Sequence, residues 1–147
     1  TKNGAFAAEA VVVFDPARAE ALPFRRKRAG HLFSKLRFIS AQLDAWLADD
    51  VWLRNARQAN AMARRLAEGL TALPGALLRH PVEANEVFVE LPTAMVAGLQ
   101  DTGHLFYPFG AARGDGAAVR LVAGWDTTAD MIDAFLADAR RLAVAAP

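Results

Sequence analysis

Five consecutive residues, Ala10 to Phe14, constrain the fold of this chain more than any other part of its sequence. They read Ala-Val-Val-Val-Phe and stop at Asp15-Pro16. An unbroken β-branched run of this length is typical of a strand buried on both faces, in a sheet that helices cover. Because no other segment before residue 85 has a strand pattern, we expect the neighbouring strands to lie outside this chain, either upstream or in another copy.

The segment from Ala17 to Leu73 has an almost entirely helical pattern of apolar residues. Asp15 can cap its first turn, and Pro16 can occupy the first helical position, where no hydrogen bond is required of it. Helix-breaking and turn residues predict where this pattern is interrupted or ends: Pro23, Gly30, Asp49-Asp50 and Pro74-Gly75.

The last third of the chain predicts a small α+β domain with helices on one face of a sheet. A glycine-rich turn, Gly114-Asp115-Gly116, indicates that the last two strands pair as a hairpin. The predicted elements are a strand over Val87–Leu91, a helix over Thr93–Gln100, strands over His104–Phe109 and Ala118–Gly124, and a final helix that begins at Thr127.

Composition excludes several classes of protein. With 147 residues, 54% of them hydrophobic, and a net charge of +1, the chain can bury a core and is not a disordered protein. No run reaches the roughly 18 apolar residues of a membrane span. The absence of cysteine excludes a disulfide scaffold, a thiolate zinc site and a cysteine nucleophile, and it fits a reducing, cytoplasmic compartment. His31, His80 and His104 have no metal-ligand spacing, so no metal site is predicted.

Charge is divided unevenly along the chain. Residues 1–40 contain eight Lys and Arg against three acidic residues, a net charge of +5. Residues 41–147 contain nine Arg against thirteen acidic residues, a net charge of −4. Such a break indicates two parts with different surroundings.

Three features could carry chemistry, and each also has a purely structural explanation. Lys2 lies in a turn ahead of the apolar run, where a desolvated amine can form a Schiff base, although a solvated terminal lysine fits the same pattern. Arg120 interrupts an apolar strand and could bind a carboxylate, or simply face water at a sheet edge. The basic segment Arg25–Arg28, with Lys35 and Arg37, could hold an anion or nucleic acid, or be a solvated helix face.

Four segments occur in order along the chain: Thr1–Ala5 with Glu9–Phe14; Arg25–Gly30 with Leu36-Arg37 and Ser40–Gln42; Asn85–Val89; and Val119–Val122 with Asp126 and the last helix. Together they resemble the L-threonine aldolases, within the aromatic amino acid β-eliminating lyase/threonine aldolase family of fold-type-I pyridoxal-phosphate (PLP) enzymes. The first segment resembles the Schiff-base lysine motif of that family, and the similarity extends over essentially the whole chain.

This resemblance implies an α/β, fold-type-I PLP-dependent transferase-like protein, of which the chain supplies the C-terminal portion. Residues 1–55 would be the last strand and bridging helices of the PLP-binding large domain, and residues 56–147 a small α+β domain. Lys2 would be the catalytic residue that holds pyridoxal 5'-phosphate, with Lys27 and Arg37 as further cofactor-binding cations. Arg120 would bind the substrate α-carboxylate.

The resemblance also implies a function. The substrate would be L-threonine, L-allo-threonine or a related β-hydroxy-α-amino acid, and the products glycine and an aldehyde. The family implies a homo-oligomer, a dimer or tetramer with shared active sites, and neither nucleic acid nor a membrane as a partner. The chain alone would be inactive, because most cofactor-binding residues of the family lie upstream of its lysine. The alternative is a non-catalytic α+β binding or oligomerisation module that uses its basic helix to hold an anion or nucleic acid.

Overall fold

A computed structural model describes residues 2–32, 34–111, 114 and 116–144. Contacts between residues divide the chain into two compact units, residues 1–53 and residues 54–147. The helices are α1 (Pro16–Ala19), α2 (Leu22–Arg28), α3 (Arg37–Leu47), α4 (Val51–Thr71), α5 (Thr93–Asp101) and α6 (Ala129–Val144), and the strands are β1 (Leu77–Leu78), β2 (Glu86–Pro92), β3 (Tyr107–Pro108) and β4 (Gly116–Val122).

The first unit is built from α1, α2, α3 and the start of α4. Helix α1 begins as predicted, because an Asp15 side-chain oxygen accepts a hydrogen bond from the backbone N–H of Ala17 at 3.0 Å and Pro16 follows the cap. The predicted break between α3 and α4 is confirmed by Asp49 and Asp50, whose φ angles of 49° and 56° are incompatible with a continuous helix.

The strand predicted over Ala10–Phe14 is wrong for the structure of this chain. These residues form no regular element, and Val11, Val12 and Phe14 are 84%, 73% and 93% exposed. A strand exists only where a neighbouring strand pairs its N–H and C=O groups. Among the described residues of this unit the one β-bridge joins Lys2 to Ala5, so the apolar run has no strand to pair with there.

The second unit is a four-stranded antiparallel sheet, in the order β1-β2-β4-β3, together with α5, α6 and most of α4. The strand over Val87–Leu91 and the pairing of the last two strands are confirmed. The two-residue strand β1 was not predicted, because two residues give no alternating pattern. Gly114 has a φ of 66°, as a turn requires, whereas Asp115 of the predicted turn lies outside the described residues.

Two boundaries differ from the prediction for local reasons. The strand predicted from His104 is shortened to Tyr107–Pro108, since the His104 N–H donates to the last turn of α5 and the Phe106 carbonyl accepts from the Gln100 side chain. The last helix is capped by Thr128 rather than Thr127: the Thr128 hydroxyl accepts from the Met131 N–H at 3.3 Å.

The core of the second unit lies between one face of the sheet and the three helices. The side chains of β2 and β4 that point into this core are all buried: residues 87, 89 and 91 of β2 and residues 119 and 121 of β4. Their partners on α4, α5 and α6 include Leu70, Leu99, Phe135 and Leu136. The opposite face of the sheet is therefore the one available for polar side chains. Among the described residues, no helix combines the length and hydropathy needed to cross a membrane.

Candidate active site

Lys2 lies in a tight turn in which the Ala5 N–H donates to the Lys2 carbonyl oxygen at 3.1 Å. Its φ of 68° is in the left-handed region, and Gly4 of the same turn has a φ of 96°. A lysine in this conformation is unfavourable unless the surrounding structure imposes it, and such residues are concentrated at functional sites. The Lys2 side chain is exposed.

Hydrogen bonds from distant residues hold this turn. The Trp46 ring N–H donates to the Asn3 carbonyl at 2.9 Å, and the Asn3 side-chain amide donates to the Trp52 carbonyl at 3.0 Å. The Gln42 side-chain oxygen accepts from the N–H groups of both Phe6 and Ala7, at 2.9 and 3.0 Å. These bonds connect the residues around Lys2 to α3 and to the first turn of α4.

Lys27 and Arg37 are both exposed, on α2 and at the start of α3. The Arg37 guanidinium lies 4.8 Å from the centre of the Phe38 ring. The structure places Lys2, Lys27 and Arg37 in the first unit.

Arg120 lies on the outer face of the sheet, as strand alternation predicts, while its neighbours Val119 and Leu121 are buried. Its guanidinium is 3.9 Å from a Glu86 carboxylate oxygen and 5.2 Å from the centre of the Phe109 ring. Both partners of the ion pair are about two-fifths exposed, at 44% and 38%, so the pair adds little stability. The guanidinium retains N–H groups that another carboxylate could use.

Arg120 also lines a cavity of about 410 Å³ at the β3 edge of the sheet. Most of the other residues around this cavity are apolar or aromatic, and they include Leu105, Tyr107, Phe109, Val122 and Met131. A mostly apolar cavity with a guanidinium in its lining suits a small ligand that carries a carboxylate.

Sequence reasoning missed the residues that surround Arg120. Glu86 and Phe88 alternate with the buried Val87 and Val89, which places them on the outer face of β2. The Cα partner of Arg120 in the register is Phe88. The alternation was visible in the sequence, but the pairing of β2 with β4 was not, so the aromatic and acidic neighbours of Arg120 could not be identified.

Two aspartates of α6 have perturbed acidity, at sites that do not involve Arg120. A two-point hydrogen bond from Arg65, at 2.9 and 2.7 Å, lowers the pKa of Asp133. The pKa of Asp138 is lowered mainly by a hydrogen bond from Arg141 and to a smaller extent by one from His104. No group of three or more metal-ligating side chains occurs among the described residues.

Comparison with known proteins gives strong sequence similarity over almost the whole chain. The chain is 41% identical to the low specificity L-threonine aldolase of Pseudomonas aeruginosa over 140 residues, and 39% identical to that of a Pseudomonas species over 140 residues. Each match covers 95% of this chain but only 39% of the relative. No protein-family model matches the chain. The predicted resemblance to the threonine aldolases is confirmed.

Solved structures are similar in fold. The Leishmania major threonine aldolase matches 84% of this chain and 36% of its own with a TM-score of 0.78 and 24% identity. A NifS-like protein and the Lactobacillus brevis glutamate decarboxylase match 74% and 71% of this chain, with TM-scores of 0.58 and 0.57, both at 20% identity. They match over 33% and 27% of their own chains. The predicted fold class, fold-type-I PLP-dependent transferase-like, is confirmed.

Proposed function

We propose that this chain is the C-terminal part of a PLP-dependent threonine aldolase, which cleaves L-threonine, L-allo-threonine or related β-hydroxy-α-amino acids to glycine and an aldehyde. The observation that carries this proposal is the identity of about 40% to two such aldolases over 95% of the chain. The chain spans 39% of the length of these relatives. A non-catalytic binding module is not favoured, because both relatives are enzymes.

The residues present fit the cofactor that this activity requires. Distant hydrogen bonds hold Lys2 in a left-handed conformation of the kind found at functional sites, and its Nζ atom would hold PLP covalently. Lys27 and Arg37 would contribute positive charge for its phosphate. When bound, PLP supplies an electron sink for cleavage of a bond at the substrate Cα.

Arg120 would orient the substrate. A guanidinium binds a carboxylate through two parallel hydrogen bonds, which fix the direction of the group as well as its position. Holding the α-carboxylate in this way determines which bond at Cα is aligned for cleavage. The cavity beside Arg120 would accept apolar parts of the substrate. Lys2 would accept and donate protons through its Nζ atom.

The exposed apolar residues of the first unit support the proposed domain organisation. Residues 1–55 would complete a large PLP-binding domain and residues 56–147 would be the small domain. Val11, Val12 and Phe14 are the side chains that further strands of that domain would cover. We propose in addition that the enzyme is a cytoplasmic homo-oligomer, a dimer or tetramer with active sites shared between subunits, and that neither nucleic acid nor a membrane is its partner.

The experiment uses the complete protein that contains this chain. After incubation with PLP, we expect a visible absorbance band that borohydride bleaches, with the pyridoxyl mass on the peptide that contains Lys2. Lys2→Ala should abolish both the band and the release of glycine from L-threonine. A pyridoxyl group on a different lysine, or glycine release that survives Lys2→Ala, would contradict the proposal.

A further inference from the structure

We infer that Phe109 is a positioning residue for Arg120. We also infer that Arg79 holds Phe109 in place by binding the backbone of the segment that follows Phe109. The inference rests on the proposed role of Arg120 in binding the substrate carboxylate. Arg79, Phe109 and Arg120 all belong to the second unit, and the structure describes each of them.

Arg120 needs a support other than its ion pair. The 3.9 Å between the Arg120 and Glu86 side chains is too long for a hydrogen bond. A long arginine side chain has many rotamers, and an exposed ion pair of this kind restricts them weakly. The Phe109 ring, 5.2 Å from the guanidinium carbon, offers a flat face over which the guanidinium is attracted. The contact with Phe109 can thus set the plane of the Arg120 guanidinium.

The Phe109 ring is itself held by an aromatic neighbour and by the sheet. Its centre is 5.2 Å from that of Phe88, and the Phe88 ring contacts His80 edge-on at 5.6 Å. The Phe109 N–H donates to the Ala118 carbonyl of β4 at 2.7 Å. These contacts connect the ring to β2 and its backbone to β4, the strand that carries Arg120.

Arg79 fixes the segment that follows Phe109. One of its terminal N–H groups donates to the Ala111 carbonyl at 3.0 Å, and its Nε atom is 3.5 Å from a Glu90 carboxylate oxygen. The Glu90 side chain is 8% exposed, and that oxygen, Oε1, accepts no hydrogen bond in the described structure. The charge of Arg79 is therefore needed beside Glu90, which keeps the guanidinium where it also binds the Ala111 carbonyl.

The test separates a positioning role from a merely structural one. In the complete enzyme with PLP, Phe109→Leu keeps an apolar side chain but removes the ring, and we expect kcat/KM for L-threonine to fall about 2- to 5-fold. The affinity for glycine, measured from the change in cofactor absorbance, should fall by the same factor, whereas the affinity for glycinamide, which lacks the carboxylate, should not change. Phe109→Tyr should restore both kcat/KM for L-threonine and the affinity for glycine.

Coupling to Arg120 is the decisive measurement. If Phe109 acts through Arg120, Phe109→Leu should change nothing further in an Arg120→Ala enzyme. Trp125→Leu is the matched control, since Trp125 has the same exposure as Phe109, 47%, and lies outside the cavity lining. An equal loss for glycine and glycinamide, or additive effects of the two substitutions, would overturn the inference. Unchanged glycine affinity in Arg120→Ala alone would instead refute the proposed role of Arg120.

Discussion

The turn that carries Lys2 should open when the Gln42 side chain can no longer accept hydrogen bonds. Gln42→Leu has nearly the same size but leaves the N–H groups of Phe6 and Ala7 without their acceptor. The Phe6 N–H is exposed and water can replace the lost bond, whereas that of Ala7 is partly buried. Since an unsatisfied buried donor costs about 1–3 kcal/mol and an exposed one much less, we expect the turn to be destabilised by about 1–2 kcal/mol.

Hydrogen exchange of the complete protein measures this directly. A change of about 1–2 kcal/mol corresponds to roughly 5- to 30-fold faster exchange for amides that exchange by local opening. The acceleration should appear in peptides that contain Phe6 and Ala7. Gln42→Glu retains an acceptor at the same place and should leave exchange nearly unchanged.

Gln58→Leu provides a matched control in the second unit. The Gln58 side-chain amide donates to the Thr127 carbonyl at 2.7 Å, so this substitution also removes a glutamine hydrogen bond to the backbone. It should not affect exchange near Lys2. Equal exchange of the Phe6 and Ala7 amides in the wild type and in Gln42→Leu would refute the conclusion that Gln42 holds the turn.

Two further predictions concern charged groups of the second unit. Arg79→Met should lower the free energy of unfolding by about 1–3 kcal/mol in urea titrations, because Glu90 then stays buried without its cation. Adding Glu90→Gln should recover most of the loss, and no recovery would contradict this explanation. Folding lowers the pKa of Asp138. The stability that Asp138 contributes is therefore present above pH about 3.9, the pKa of an aspartate in the unfolded chain, and is lost as the pH falls through its pKa in the folded protein. The stability difference between wild type and Asp138→Asn should therefore shrink below about pH 4, and a difference that stays constant from about pH 7 to pH 3 would be evidence against it.

Local patterns predicted the helices of both units and the main strands of the second unit, but not the absence of a strand in the first. Strand β2 was identified because Val87, Val89 and Leu91 face the core in alternation, and that core lies within the unit. The run from Ala10 to Phe14 has equally strong strand composition, yet it forms no strand, because pairing depends on a partner and not on the run itself. Strand propensity therefore succeeded only where the unit supplied a pairing partner and a core.

The candidate site shows the same division between local and long-range information. Lys2 and Arg120 were found from short segments and from strand alternation. The residues that hold them were not found: Gln42 and Trp46 lie 35 to 43 positions from the backbone groups they bind around Lys2. Phe109 reaches Arg120 through a hairpin whose register the sequence leaves open. Contacts of this kind depend on how elements pack, which no local pattern specifies.

The two units therefore support the proposed activity in different ways. Arg120 lies on a sheet whose other face is a closed core, so its orientation depends on residues of that unit, Phe109 foremost. Lys2 lies in a unit in which Ala8 is the one buried hydrophobic residue among those described, and its turn depends on a few hydrogen bonds. Such bonds add only about 1 kcal/mol each. Under the proposed function, substitutions in the second unit should alter carboxylate recognition, whereas those in the first should alter attachment of the cofactor.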